Sequence, residues 1–231
     1  INTDPAVNLN ASFSAFFPRS GRIAFSSQSG ALGLAILSLS GEHELGLSHF
    51  VSVGNKSDVS GNDLLQYWEE DPQTGVILLY LESFGNPRRF ARIAKRVAHR
   101  KPIVAVKAGR TGAGRRAAGS HTAALAASDV AVDALFHQTG VIRAETLDEM
   151  FDLATALDQQ LLPRGRRVAI LTNAGGLGIL CADSCEAGGL TVPELEDRTK
   201  TVLRQFLPAA ASVMNPVDMI ASADPDHFHK A

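Results

Sequence analysis

The sequence predicts an α/β protein built from two parallel-sheet domains, the second incomplete. Three observations carry this. Short apolar runs alternate with helical stretches five times through residues 22–160. The run at 75–81 (GVILLYL) is apolar on both sides, as a strand inside a parallel sheet must be. A strand, turn and helix met at 22–33 return at 167–178. The 231 residues allow one large domain or two smaller ones. We expect an N-terminal arm at 1–20, a first domain at 21–162 and the front part of a second at 166–231.

Each element follows from local pattern. Residues 22–26 (RIAFS) form a short apolar run closed by the turn Ser27-Gln28-Ser29-Gly30, so a strand, and 31–40 read as a helix. A second strand is expected at 49–53 and a helix at 62–70, with Leu64, Leu65 and Trp68 on one face. The third strand is 75–81. Pro87 suits the first turn of a helix reaching Ala98. Residues 102–107 (PIVAVK) give a fourth strand, followed by a Gly/Arg/Ala loop to Ser120. A helix at 123–139, a weak strand at 140–143 and a helix at 147–160 complete a set that suits a flavodoxin-like order. After a Pro/Gly boundary at 161–165, strands are expected at 167–171 and 190–193, helices at 177–187 and 197–206, and irregular chain from Pro208. The ends at Ile1 and Ala231 read as those of a segment cut from a longer polypeptide.

Composition excludes several classes. Lys and Arg number 22 against 24 Asp and Glu, for a net charge of −2, which does not suit general nucleic-acid binding. No apolar run approaches the roughly 20 residues that cross a bilayer, and no signal pattern precedes the first strand. A cytoplasmic protein without membrane or nucleic-acid partners is therefore expected. Cys181 and Cys185 cannot make a disulfide framework, and no metal-ligand cluster is legible around them or around His227 and His229.

The repeat carries the first chemical expectation. At a constant offset of 145 residues, Arg22, Ala24, Gly30, Leu32 and Gly33 recur as Arg167, Ala169, Gly175, Leu177 and Gly178. Any opening strand–helix unit has this outline, but two equivalent anion sites also fit it. A helix N-terminus offers unpaired N–H groups and partial positive charge, and glycine lets an anion approach the backbone. The candidates are Ser27, Gln28, Ser29 and Gly30 in the first copy, and Asn173, Ala174, Gly175 and Gly176 in the second. Neither copy is a P-loop or a dinucleotide fingerprint. Ligands of open parallel sheets sit outside the carboxyl ends of the strands. Glu82 follows strand three there. The loop after strand four carries Lys107, Arg110, Arg115 and Arg116 and ends in Ser120-His121-Thr122. A carboxylate bonded to one imidazole nitrogen fixes the tautomer and frees the other to attack.

Three motifs carry a resemblance: Ser27-Gln28-Ser29-Gly30-Ala31-Leu32, Gly109-Arg110-Thr111 with Gly119-Ser120-His121-Thr122-Ala123-Ala124-Leu125, and Asn173-Ala174-Gly175-Gly176-Leu177-Gly178. The chain resembles the NDP-forming acyl-CoA synthetases, relatives of succinyl-CoA synthetase, over nearly its whole length. The resemblance implies that His121 carries the phosphoryl group, with Glu82 as its carboxylate partner and Gly109, Arg110, Gly119, Ser120 and Thr122 in the histidine loop. It implies that the helices opening near Gly30 and Gly176 point at the phosphohistidine. It implies acyl-CoA, ADP or ATP with Mg²⁺, and phosphate as substrates, with no tightly bound cofactor. It also implies CoA-binding and ATP-grasp domains or subunits as partners, with the nucleotide site outside these residues, and homo-oligomers. The rival expectation is an acyl-CoA-sensing region fused to a GNAT-type lysine acetyltransferase. A flavin carrier of the same fold is a third, disfavoured by the scarcity of aromatics at the strand ends.

Overall fold

The computed structural model describes residues 1–54, 58–114 and 128–231. The chain divides into two compact units, Ile1–Leu161 and Leu162–Ala231.

In the first unit, strands and helices alternate as β1 (Ser20–Ser27), α1 (Gly30–Glu42), β2 (Leu47–Ser52), α2 (Gly61–Glu70), β3 (Val76–Leu81), α3 (Pro87–Ala98) and β4 (Ile103–Lys107). After the segment 115–127 come α4 (Asp129–Thr139), β5 (Ile142–Ala144) and α5 (Leu147–Gln159). The five strands are all parallel, in the order β2-β1-β3-β4-β5. That is the flavodoxin-like order, with its reversal of direction between β1 and β3.

Side-chain alternation builds two cores from one sheet. Ile23, Phe25, Leu78 and Val104 face α1 and α5, where they meet Ile36, Leu37, Met150 and Phe151. Ala24, Ile77, Leu79 and Ala105 face the other way, onto Leu65, Trp68, Phe90, Ile93, Val132 and Phe136. The helices are capped as their sequences dictate. Ser29, Asn86, Ser128 and Thr146 accept from backbone N–H groups in the first turns of α1, α3, α4 and α5. Ser60 instead donates from N and Oγ to Asp63 Oδ2. Gly33 has no Cβ because one would stand 2.7 Å from the buried Phe50 ring, so α1 lies tight on β2.

Two expectations shift here. The arm at 1–20 is not wholly irregular: Asn2 bridges Leu9 and His49, and Thr3 N donates to Ser48 O, so it lies along β2. The described part of the helix expected at 123–139 begins at Asp129; residues 123–127 lie outside the described residues.

The second unit holds β6 (Leu171–Thr172), α6 (Gly175–Ala187), α7 (Asp197–Arg204), β7 (Val217–Asp218) and α8 (Pro225–Lys230). Leu203, Leu207, Ala211, Val213, Val217 and Met219 form its core. The strands expected at 167–171 and 190–193 shrink to β6 and a single parallel bridge, Arg167 to Thr191. Two features interrupt the ladder. Pro193 has no N–H to continue a ladder. The Asn215 side chain takes the place of a strand partner, accepting from Ile170 N and donating to Val168 O and Pro193 O, each at 2.9 Å. The chain after Pro208, expected to be irregular, contains β7 and α8. Strand β7 is two residues long, too short to leave a periodic signal.

Candidate functional site

The turn between β1 and α1 is held by its own hydroxyl. Ser27 Oγ donates to Ser29 O at 2.8 Å and accepts from Ser29 N at 3.2 Å. The second copy repeats this at the same offset of 145: Thr172 Oγ1 donates to Ala174 O and Ala174 N donates back to Thr172 Oγ1. Both turns deliver the chain into a helix with a glycine at its first position. The N–H groups of Gly30 and Ala31, and those of Gly175 and Gly176, bond to no described residue.

Gln28 ties the two strand ends at the point where the sheet changes direction. Its Oε1 accepts from both Glu82 N and Ser83 N at 2.8 Å, and its Nε2 donates to Ser83 O at 2.8 Å. Its own N–H donates to Tyr80 O. Ser27 and Gln28 are buried. Their side chains therefore hold the turn instead of offering free donors to a ligand. The free donors are the N–H groups of Gly30 and Ala31.

Glu82 sits one residue beyond β3, at the carboxyl edge of the sheet, as expected. Lys107 ends β4, opposite Leu81 in register. Burial lowers the Lys107 ammonium below its ordinary value, and the Glu82 and Asp129 carboxylates pull against that shift. Burial also raises the Tyr80 hydroxyl, with Glu82 adding to it. A half-buried cation and a carboxylate thus share this edge. Lys107 stood out in the sequence only as one of several loop cations; its place at the end of a buried strand was the signal for more.

His121, with Gly119, Ser120 and Thr122, lies outside the described residues, as do Arg115 and Arg116. The chain on either side is anchored. Arg143, on β5, donates to Asp129 Oδ1 at 2.7 Å and to Asp133 Oδ1, with its Nε 3.1 Å from Glu145 Oε1. Arg110 pairs with Glu145 and stands 4.0 Å from Asp129. Gly109, just before it, has a left-handed φ of 77°, a conformation that glycine adopts without strain. One acidic cluster therefore holds the chain entering and the chain leaving the 115–127 segment.

The second copy differs in charge. Asp218 ends β7 with Oδ1 accepting from Ile220 N, and a Cβ on Gly175 would stand 2.7 Å from its Oδ2. A carboxylate already lies at the start of α6. Nothing in the sequence marked it, because β7 is separated from β6 by a longer connection than β2 from β1. Asn173 precedes that helix start in the turn.

Among the described residues, no cluster of three or more His, Cys, Asp or Glu could hold a metal ion. Within those residues, no helix is long and apolar enough to cross a membrane. Cys181 and Cys185 are free thiols on α6. His227 bonds Asp224 to close the first turn of α8.

Comparison with known proteins agrees with this architecture. Residues 20–157 match the succinyl-CoA ligase like flavodoxin domain, and residues 168–231 match the ligase-CoA domain. The chain is 46% identical over 223 residues to acetate–CoA ligase [ADP-forming] II subunit alpha of Pyrococcus furiosus, covering 96% of this chain and 48% of that protein. It is 43% identical over 231 residues to acetate–CoA ligase [ADP-forming] I of Archaeoglobus fulgidus, covering 33% of that protein. Among solved structures, the dinucleotide forming acetyl-coenzyme A synthetase 1 of Ca. Korarchaeum cryptofilum, in complex with phosphate and ADP, superposes with a TM-score of 0.91 at 39% identity. That match covers 97% of this chain and 49% of the other. The chain thus spans about half the length of the alpha subunit and a third of the longer relative. With more than half of its residues matched to one family and the sheet order that family name describes, the chain belongs to the succinyl-CoA ligase like flavodoxin domain family.

Proposed function

We propose that this chain is the phosphoryl-carrying ligase region of an ADP-forming acyl-CoA synthetase. The reaction interconverts acyl-CoA, ADP and phosphate with the acid, CoA and ATP. The observation that carries this reading is the sheet edge: the Ser29-capped start of α1 and Glu82 lie at the ends of neighbouring strands, tied by Gln28. The relatives named above, all ADP-forming ligases by name, support it. No acetyltransferase is among them, so the GNAT alternative has nothing in its favour.

The steps assign work to this chain's own groups. Phosphate displaces CoA from the acyl carbon, giving acyl phosphate and the free thiol. The unprotonated imidazole nitrogen of His121 attacks phosphorus, the P–O bond to the acyl group breaks, and the acid leaves. ADP then takes the phosphoryl group from His121 to give ATP. Glu82 accepts a hydrogen bond from the other imidazole N–H and balances the positive ring while it is phosphorylated. The Gly30 and Ala31 N–H groups hold the phosphoryl oxygens at the positive end of α1. Asn173, Ala174, Gly175 and Gly176 form the second such turn. CoA, Mg²⁺ and nucleotide are substrates held by CoA-binding and ATP-grasp domains or subunits, and the assembled enzyme is oligomeric.

The test is phosphorylation of the chain together with its ATP-grasp partner, using γ-labelled ATP. Acid-labile, base-stable label is expected, absent in His121→Ala and reduced in Glu82→Gln. Label that survives in His121→Ala overturns the proposal.

A further inference from the structure

Helix α3 (Pro87–Ala98) has an apolar face, a paired face and an open one. Phe90, Ile93, Ala94 and Val97 are buried against the sheet. On its flank, Arg89, Arg96 and, just past the helix end, Arg100 pair with acids of α2. Arg89 meets Asp63 at 2.6 Å, Arg96 meets Glu69 at 2.6 Å and Arg100 meets Glu70 at 2.7 Å. Opposite the buried face, at about 3.6 residues per turn, stand Arg88, Arg92 and Lys95, with His99 one turn further. All four are exposed, and among the described residues Arg88, Arg92 and Lys95 have no ion-pair partner.

The open row does not serve the helix itself. No acid occurs anywhere between Glu82 and Asp129. Arg88 lies in the first turn of α3, which has no acidic residue and where the helix dipole disfavours a cation. Arg88 with Arg92, and Arg92 with Lys95, are like charges one turn apart, which destabilise a helix. Residues that break local rules without stabilising the fold are where function is expected.

We propose that this row is a docking surface for an acidic helix of a partner protein, one that carries carboxylates at i, i+4 and i+7. The mode of binding already exists inside the chain. Helix α2 lies beside α3 and places Asp63, Glu69 and Glu70 on the flanking arginines. A second acidic helix does the same one face over, its charges complementary to Arg88, Arg92 and Lys95. A membrane surface fits less well, because a helix lying in a membrane needs an open apolar face and that of α3 is buried. Nucleic acid fits less well, because the whole chain carries a net charge of −2. The row involves no phosphoryl chemistry, so the proposal stands or falls apart from the His121 reading.

The test is an amide NMR titration of the chain at about 0.01 M salt, where a screening length of about 30 Å leaves surface charges their reach. The probe is an alanine-rich helical peptide of about 20 residues with glutamates at i, i+4 and i+7. Its isomer carries the same glutamates spread around the helix. The first peptide should shift the amides of Arg88–His99 and bind at least fivefold tighter than the isomer. Arg92→Glu should weaken it about tenfold. Arg198→Glu, the same charge change on α7, should leave it within twofold. Circular dichroism checks that both variants fold. Unmoved α3 amides, equal affinities for the two peptides, or equal losses in the two variants overturn the proposal; the first is what a merely solvated face would give. Oligodeoxythymidine and vesicles of phosphatidylglycerol with phosphatidylcholine are titrated alongside. If either moves the α3 amides and the peptide does not, the row serves nucleic acid or membrane, and the proposal falls.

Discussion

Ser52 and Asp218 hold equivalent positions in two copies of one structural unit. Ser52 ends β2 opposite Ser27, and Asp218 ends β7 opposite Thr172. Ser27 and Thr172 make the same hydroxyl-to-backbone pair in their turns. The side chain beside the opening glycine of each helix is therefore neutral in one copy and anionic in the other. A Cβ on Gly30 would lie 3.8 Å from Ser52 Oγ, whereas one on Gly175 would meet Asp218 Oδ2. The two helix ends share one turn geometry and differ in the charge beside them.

Moving that charge should move phosphate affinity. In Ser52→Asp a carboxylate faces the start of α1, and two like charges about 4 Å apart at a protein surface repel by up to about 4 kcal/mol. Inorganic phosphate should bind the variant at least tenfold more weakly, read by ³¹P NMR titration. An unchanged affinity would show that phosphate does not use the Gly30 and Ala31 N–H groups. Asp218→Asn, conversely, removes a carboxylate from a helix N-terminus and should cost the second unit about 0.3–1 kcal/mol in urea unfolding.

Gln28→Ala strips the partners from Glu82 N, Ser83 N and Ser83 O at one stroke. A lost hydrogen bond at a partly buried site such as this costs about 0.5–1.5 kcal/mol. We expect the first unit to lose about 2–4 kcal/mol of unfolding free energy, measured in urea. Gln28→Glu keeps the acceptor for both N–H groups and should lose less. Equal losses in the two variants would mean that packing, not the paired N–H bonds, holds the strand ends together.

Arg143→Ala should release the chain flanking residues 115–127. The guanidinium is the shared partner of Asp129, Asp133 and Glu145. Those acids are between a third and two thirds exposed, so solvent screening holds the stability cost to about 1–2 kcal/mol. The sharper readout is amide exchange in the first turn of α4, which should accelerate at least tenfold while β1 and β3 keep their protection. Unchanged exchange at Asp129–Val132 would remove Arg143 from this role.

What could be read in the sequence follows the strength of local pattern. The all-parallel sheet was legible because its central strand, β3, is apolar on both faces and each helix brings its own cap. The repeat was legible in its five recurring residues, but the hydroxyl pair of Ser27 and Thr172 that holds each turn was not. The second unit was harder. Strand β6 keeps only two ladder residues, and its neighbours at 168–170 bond to Asn215, which lies some 45 residues away in the chain. A contact of that kind leaves no periodic trace. At the candidate site, Glu82 could be placed by counting from a strand end. The latch of Gln28 and the charge of Asp218 depend on packing between distant segments, which periodicity does not report.

The remaining prediction concerns pH. His49 is buried on β2, with Nε2 3.1 Å from Asn2 Nδ2 and Nδ1 3.2 Å from Ser48 Oγ. Tyr67 and Trp68 pack against the ring, and Asp71 stands 3.7 Å from Nδ1. Burial lowers the imidazole below its ordinary 6.5, and Asp71 and Asp4 only partly oppose this. The unfolded chain therefore takes up a proton near pH 6.5 that the folded chain accepts only at lower pH. Between those values the unfolded state binds more protons, so stability falls as pH drops below about 6.5. One group can contribute at most about 1.4 kcal/mol per pH unit. The carboxylates with lowered values, Asp4, Asp63 and Glu69, act in a separate window below their ordinary values near 4. Urea unfolding followed between pH 7.5 and 5 should thus show a downward slope on acidification in the native chain. The slope should be largely lost in His49→Gln, which keeps a hydrogen-bonding side chain but cannot titrate. A slope that persists in His49→Gln would assign the acid sensitivity of this unit to other groups.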